Sequence, residues 1–213
     1  MIRVPSPVPE PPLFDAECRQ PGMEWLAAQD ELPDRPKDLW SPFRDDLREG
    51  FARRCGYYAM HLPDGQVDHF ISWDSCKQDQ RQLAYDWNNF RFLAGSLNSK
   101  KRTLDGQLLD PFEVEDSWFE VELPSFLLRV TDQLPPALLG KATLTLQRLE
   151  LEQGRKALTL RWEWYEMHRT GLLILQGLHQ LAPLVARAVE KWQADGRGPL
   201  PAIPRPVPEP VAP

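Results

Sequence analysis

Three short polar segments of the chain carry residue types that could do hydrolytic chemistry. Asp68 and His69 are adjacent, Asn88 and Asn89 follow further along, and Asn98 stands just before two lysines. Carboxylate and amide oxygens are ligands that Mg²⁺ accepts, and an imidazole titrates near neutral pH, as a general base should. Each segment is weak alone, because Asp-His pairs are most often solvated and asparagines most often form turns or helix caps.

The elements expected around these segments form a strand–strand–helix unit. Pro63-Asp64-Gly65 is a turn signal, so residues 55–61 and 66–71 are predicted to be the two strands of one hairpin. A loop follows, and residues 87–93 then lead into a short helix whose first turns contain Asn98. This order predicts an α+β fold in which the three polar segments converge on one site.

In this order and within this unit, the segments resemble the HNH nuclease family over residues 51–112. The matching motifs are VDHF at 67–70, YDWNNFR at 85–91 and NSKK at 98–101. They are most similar to HNH proteins of bacterial anti-phage systems of the retron and Septu types. The resemblance implies a ββα-metal fold and a metal-dependent endonuclease that hydrolyses DNA phosphodiester bonds, with an ATPase partner encoded nearby.

The resemblance also implies roles for four residues. Asp68 and Asn98 would hold Mg²⁺ or Mn²⁺, His69 would be the general base, and Asn89 would orient its imidazole. Phosphodiester hydrolysis needs an activated water and a positive charge opposite the developing negative charge, which a base and a metal supply. His69 follows Asp68 on a strand, so their side chains point to opposite sides unless the strand ends or bulges there.

The structural zinc site of many HNH relatives is absent from this pattern. Such relatives carry four cysteines around the motif, whereas here Cys55 occupies one such position and Tyr58, Ala94 and Leu97 occupy the others. A structural zinc site normally has four ligands, so no structural zinc is expected. The three replacements are what an apolar core would contain in place of the metal.

The charge of the chain argues against strong nucleic-acid binding by the molecule as a whole. The formal net charge is −6 and the isoelectric point is about 5.3, whereas nucleic-acid binding usually leaves a basic footprint. A local basic cluster beside the motif is predicted to contact DNA phosphates, and a solvated helix face is its alternative interpretation. The cluster consists of Arg91, Lys100, Lys101 and Arg102.

Two functions from different classes therefore stay open. The first is the active endonuclease, favoured because Asp68 and the three other motif residues are all present. The second is a degenerate HNH fold that serves as an interaction subunit and is inactive alone. The acidic charge, the lost zinc cysteines and the small basic cluster favour this second function.

Composition is typical of a globular, cytoplasmic protein. Of its 213 residues, 42% are hydrophobic and 26% are charged, which suits one domain with a small extension. No apolar run approaches the roughly 18 residues of a membrane span, and the N-terminus lacks the apolar core of a secretory signal. Three cysteines without a CxxC pair indicate free thiols in a reducing compartment.

Proline marks both ends of the chain, and helical patterns fill much of the rest. A helix is expected from Ser41 to about Arg54, with Pro42 in its first turn. Further on, the patterns predict a strand pair or edge strand at 118–130 and helices at 135–151, 156–168 (where alternation also fits a strand) and 178–192. The predicted segments are a flexible proline-rich tail (1–22), an N-terminal helical segment (23–54), an HNH-like ββα core (55–112), a mainly helical extension (113–195) and a second flexible tail (196–213).

Overall fold

The computed structural model describes residues 1–5 and 7–206, and the chain divides into two compact units. The site unit consists of Arg3–Gly56 and Leu62–Glu113, and the C-terminal unit consists of Met1–Ile2, Tyr57–His61 and Val114–Pro213. The site unit contains α1 (Gln20–Ala27), α2 (Arg44–Gly50), β1 (Gln66–His69), α3 (Trp73–Cys76), β2 (Phe90–Leu93) and α4 (Gly95–Lys101). Short stretches of 3₁₀ helix lie at Ser41–Phe43, Arg81–Tyr85 and Trp87–Asn89. The fold is α+β.

Strand β1 pairs with β2 in an antiparallel ladder, and α4 follows β2 almost directly. Asp68 lies opposite Arg91, and His69 lies opposite Phe90. The predicted hairpin between residues 55–61 and 66–71 is therefore wrong, although β1 itself and the helix that carries Asn98 are confirmed. All four residues of β2 are buried, and burial of its apolar side chains favours β2 as the partner of β1.

The proline-rich start of the chain packs into the core of the site unit. Val4, Val8 and Phe14 are buried in one apolar cluster, and the Val8 carbonyl accepts a hydrogen bond from Trp87 Nε1 at 3.0 Å. A π-helical turn at Asp15–Arg19 then leads into α1. The prediction of a flexible tail over residues 1–22 is wrong for this part of the structure, because the apolar residues between the prolines supply core contacts.

Helix α2 is shorter than predicted. It ends at Gly50, and Ala52 and Arg53 have positive φ angles of 51° and 58°, which no helix continues through. A Cβ atom on Gly50 would lie 2.1 Å from Val8 Cγ1, so the N-terminal segment crosses closely over the end of the helix. The N-terminal segment, which is distant in sequence, thus packs closely against α2 at the residue where this helix ends.

In its described part, the C-terminal unit combines one hairpin with four α-helices. Strands β3 (Phe119–Glu122) and β4 (Leu127–Val130) are antiparallel, which confirms a strand pair there. The helices are α5 (Leu139–Arg148), α6 (Arg155–Arg169), α7 (Leu175–Leu181) and α8 (Pro183–Ala194). The single helix predicted at 178–192 is two helices, because Pro183 begins α8 and the chain leaves helical geometry at Ala182.

Helix α6 organises much of this unit. Arg161 is buried and donates hydrogen bonds to the carbonyls of Phe126, Glu152 and Leu151. The segment after α8 packs on the same helix: Trp162 Nε1 donates to Ile203 O, and the Tyr165 hydroxyl donates to Pro201 O, both at 2.7 Å. The predicted flexible tail 196–213 thus makes contacts up to Arg205, which pairs with Glu163, and residues 207–213 lie outside the described part.

Candidate functional site

Asp68 lies in β1 with its carboxylate directed toward α4. Only 3% of the residue is exposed, and Oδ1 accepts a hydrogen bond from Lys101 Nζ at 3.2 Å. The other oxygen, Oδ2, is buried and has no hydrogen-bond partner among the described residues. Burial raises the pKa of Asp68 to about 6, because desolvation disfavours the ionised form more than the nearby Lys101 ammonium favours it.

Lys101, at the end of α4, is enclosed within the site unit. The residue is 1% exposed, and its Nζ atom lies 3.2 Å from Asp68 Oδ1, 2.7 Å from His69 O and 3.4 Å from Asp105 Oδ1. Asp105 is held in turn, since its Oδ2 accepts hydrogen bonds from Ser72 N at 2.8 Å and Ser72 Oγ at 2.6 Å. We call Asp68, Lys101 and Asp105 the carboxylate–lysine cluster. Asp105 was not predicted, and helical i,i+4 spacing does not explain its contact with Lys101, because α4 ends at Lys101 and Arg102 has a positive φ angle of 47°.

Asn98 lies one helical turn before Lys101 and faces the same strand. The residue is half-buried, and its Nδ2 atom lies 3.5 Å from Gln66 Oε1. Gln66 and Asp68 are two residues apart in β1, so their side chains share one side of the strand. The structure therefore brings Asn98 to the side of β1 on which Asp68 lies.

His69 is directed to the other side of β1. Its Nε2 atom lies 2.9 Å from Ala84 O, and its ring contacts Trp40 and Phe90 edge-on, with centroid distances of 4.6 and 5.0 Å. A carbonyl oxygen only accepts, so Nε2 carries the proton and Nδ1 is the basic atom. Burial lowers the pKa of His69, which leaves the imidazole neutral at pH 7. The structure does not place this ring beside the Asp68 carboxylate.

Asn89 braces the chain that follows β1. Its Oδ1 accepts from Ile71 N at 2.8 Å, while Nδ2 donates to Ile71 O at 3.0 Å and to Leu83 O at 2.9 Å. Its predicted contact with the His69 imidazole is not among these bonds. Leu83 is the neighbour of Ala84, whose carbonyl lies 2.9 Å from His69 Nε2, so the hydrogen bonds link Asn89 to this ring through the main chain.

The four predicted DNA-contacting residues have different environments. Arg91 is 4% exposed and forms two hydrogen bonds to the Asp110 carboxylate, with its guanidinium 3.8 Å from the centroid of the Phe112 ring. Direct phosphate contact does not suit Arg91 or Lys101, because both are enclosed and paired inside the unit. Lys100 is half-buried and Arg102 is exposed, so the predicted contact stays open for these two.

The four positions that the resemblance matches to zinc cysteines of HNH proteins are buried here. Cys55, Ala94 and Leu97 lie in the interior of the site unit, whereas Tyr58 belongs to the C-terminal unit. Among the described residues, no group of three or more His, Cys, Asp or Glu side chains is arranged to hold a metal ion. A site made of one carboxylate and one amide would not form such a group.

No protein-family model matches the chain, and neither a curated protein nor a solved structure does. In the part of the chain that the structure describes, no helix is both long and apolar enough to cross a membrane. Function must therefore be argued from the motif residues and from the geometry around Asp68.

Proposed function

We propose that the site unit is a divalent-metal-dependent HNH endonuclease that hydrolyses phosphodiester bonds in DNA. The observation that carries the proposal is the buried Asp68 carboxylate, whose Oδ2 atom has no hydrogen-bond partner among the described residues. Leaving such an atom unsatisfied costs about 1–3 kcal/mol, and a bound cation would remove this cost. Asn98 lies on the same side of β1 and would supply a second oxygen.

The residues present fit Mg²⁺ or Mn²⁺. Mg²⁺ is usually held by one or two carboxylates and keeps several waters, which leaves room for phosphate oxygens of a substrate. Asp68 Oδ2 and Asn98 Oδ1 would hold the metal, and Asp68 Oδ2 accepts no hydrogen bond from a described residue. When bound, the metal would supply positive charge opposite the phosphate and the leaving oxygen.

His69 would act as the general base. The neutral imidazole has its basic atom at Nδ1, and a neutral ring can accept a proton from water. His69 is the last residue of β1, and its Cβ atom lies on the opposite side of the strand from that of Asp68. The ring therefore reaches the carboxylate only if the main chain changes at His69 and Phe70, where Phe70 N donates a hydrogen bond to Asn89 O. This change breaks the hydrogen bonds of His69 Nε2 to Ala84 O and of Phe70 N to Asn89 O, so the catalytic arrangement differs from the described one in the main chain at the end of β1.

The test is cleavage of closed-circular plasmid by the purified chain with Mg²⁺ or Mn²⁺. We expect metal-dependent nicking or linearisation, a loss of rate of about two to four orders of magnitude in His69→Ala, as for other general bases, and a comparable loss in Asp68→Asn. His179→Ala is the matched control, because His179 lies in α7 and pairs with Glu190. Cleavage that is equal in His69→Ala and wild type would contradict the proposal. Repeating the assay with an ATPase encoded by a neighbouring gene tests the partner that the resemblance implies.

A second candidate is an interaction subunit with an inactive HNH-like fold. It is favoured by one observation: the Asp68 carboxylate and the His69 imidazole already have partners within the protein. Asp68 Oδ1 accepts a hydrogen bond from Lys101, and His69 Nε2 lies 2.9 Å from Ala84 O. This candidate predicts that the folded wild-type protein neither cleaves DNA nor binds Mn²⁺. An endonuclease should both cleave DNA and bind Mn²⁺, so Mn²⁺ binding by the wild-type protein distinguishes the two candidate functions.

A further inference from the structure

We propose that Lys101 is an internal counter-ion that holds Asp68 in place and limits the affinity of the site for its metal, with Asp105 partly offsetting it. The inference rests on the proposed metal site at Asp68. It assigns Lys101 and Asp105 as positioning residues, whereas the sequence placed Lys101 on the DNA-binding surface and did not single out Asp105.

The geometry leaves Lys101 no role at the surface. Its ammonium has three N–H donors, and three acceptors surround it: Asp68 Oδ1, His69 O and Asp105 Oδ1. Two of these acceptors belong to consecutive residues of β1, so the ammonium ties the end of α4 to the strand that carries the metal ligand. A lysine this enclosed is rare unless it is paired, as it is here.

The charge of the carboxylate–lysine cluster is unbalanced. Two carboxylates and one ammonium leave one net negative charge in a buried place. The neighbouring buried pair, Arg91 with Asp110, is balanced, since one guanidinium faces one carboxylate. Of the buried side-chain oxygens in the described residues, Asp68 Oδ2 is the one without a hydrogen bond. The excess negative charge and the free oxygen therefore coincide at Asp68.

Lys101 has two opposite effects on such a site. Before a metal arrives, its ammonium compensates part of the charge of Asp68 and fixes the carboxylate in one orientation. Once a divalent cation binds Oδ2, the ammonium at Oδ1 repels it across a few ångströms of weakly screening interior. Asp105 attracts both cations and so weakens this repulsion.

A series of three proteins tests the inference by changing the charge of the cluster in single steps. The cluster carries no net charge in Asp105→Asn, one negative charge in the wild type and two in Lys101→Met. Mn²⁺ affinity, measured by titration calorimetry on chelator-treated protein, should rise in that order. Each step should change it by about tenfold or more, which is the size of a short-range interaction between a charge and a divalent ion.

Thermal unfolding provides a second readout. In chelator, Lys101→Met should have a lower melting temperature than the wild type, because it leaves two buried carboxylates without their ammonium. Added Mn²⁺ should raise the melting temperature of this variant more than that of the wild type. Lys77→Met is the matched control, since it removes an exposed lysine–aspartate pair of 2.7 Å in the same unit. That variant should leave Mn²⁺ affinity unchanged.

The possible outcomes separate this inference from the proposed function. One outcome is that the wild type binds Mn²⁺ and Lys101→Met binds it equally well or more weakly. That result overturns the counter-ion role of Lys101 and leaves the proposed metal site standing. If Lys101→Met is the one protein of the three that binds Mn²⁺, the counter-ion role is supported, and the proposed metal dependence of the wild-type protein is overturned. Absence of binding in all three proteins overturns both. If Lys101→Met does not fold, Asp105→Asn decides, because unchanged or tighter binding in that variant contradicts the inference.

Discussion

Replacement of Asp68 by Asn should change how the stability of the metal-free protein depends on pH. The carboxyl group of an unfolded chain ionises near pH 4, whereas burial raises the pKa of Asp68 to about 6 in the folded protein. Between these two values the folded state binds more protons than the unfolded state. The free energy of unfolding of the wild type therefore falls as pH rises through this window, and the loss is complete above the folded pKa.

The expected size follows from the shift. A displacement of about two pH units corresponds to about 3 kcal/mol, because each unit is worth about 1.4 kcal/mol. Asn cannot ionise, so the stability of Asp68→Asn relative to wild type should rise by about 3 kcal/mol between pH 4 and pH 7. The lowered pKa of His69 acts oppositely, since it costs stability as pH falls below about 6.5, but both proteins share it and it cancels in the difference.

The assay is urea unfolding of both proteins in chelator at half-unit steps from pH 4 to pH 7.5. Asp74→Asn is the control, because Asp74 is exposed and should change the profile by less than about 1 kcal/mol. Parallel profiles for wild type and Asp68→Asn would refute the reasoning, since they would mean that burial does not shift this group. A relative gain by the wild type at higher pH would mean that attraction by Lys101 outweighs desolvation.

Three further predictions concern zinc, DNA contact and the C-terminal unit. Elemental analysis should find no stoichiometric zinc, and the fold should survive chelator, because only Cys55 is a cysteine among the four positions that the HNH resemblance matches to zinc ligands; one zinc per chain would contradict this. Lys100→Ala with Arg102→Ala should lower the slope of log DNA affinity against log salt by about two, similarly for unrelated sequences, and an unchanged slope would mean that the DNA binds elsewhere. Arg161→Met should reduce the free energy of unfolding by about 3 kcal/mol or more, since the buried guanidinium donates to three main-chain carbonyls, whereas Arg155→Met, an exposed control, should cost less than about 1 kcal/mol. Equal losses in these two variants would contradict the assigned role of Arg161.

Local signals predicted the elements that carry the motif. The turn at Pro63-Asp64-Gly65 correctly located the start of β1. A short helix does carry Asn98, but it begins at Gly95 with Ala94 as its N-cap, so residues 98–101 form its last turn and not its first. Both elements depend on residues close in sequence, which is why composition and spacing sufficed to indicate them. The strand partner of β1 depended instead on burial of β2, a property of the folded chain that spacing does not encode.

The environment of the charged residues could not be predicted in the same way. Arg91, Lys100, Lys101 and Arg102 are the predicted basic cluster, and charged residues are usually exposed. Two of them are instead buried, because Asp110, Asp68 and Asp105 lie within reach once the unit has folded. Asp110 and Asp68 are distant along the chain from the basic residues that they pair with, whereas Asp105 is four residues from Lys101. The sequence pattern therefore could not distinguish an internal ion pair from a surface contact.

The most direct test of the central claim is an anomalous diffraction measurement on crystals of the protein soaked in Mn²⁺. If Asp68 and Asn98 hold the metal, an anomalous peak should lie within coordination distance of Asp68 Oδ2 and Asn98 Oδ1, with Lys101 still beside the other oxygen of Asp68 or moved toward Asp105. Such a peak should disappear in Asp68→Asn. Saturating Mn²⁺ with no peak near Asp68, and with the carboxylate still bound to Lys101 alone, would contradict a metal-dependent nuclease site in this chain.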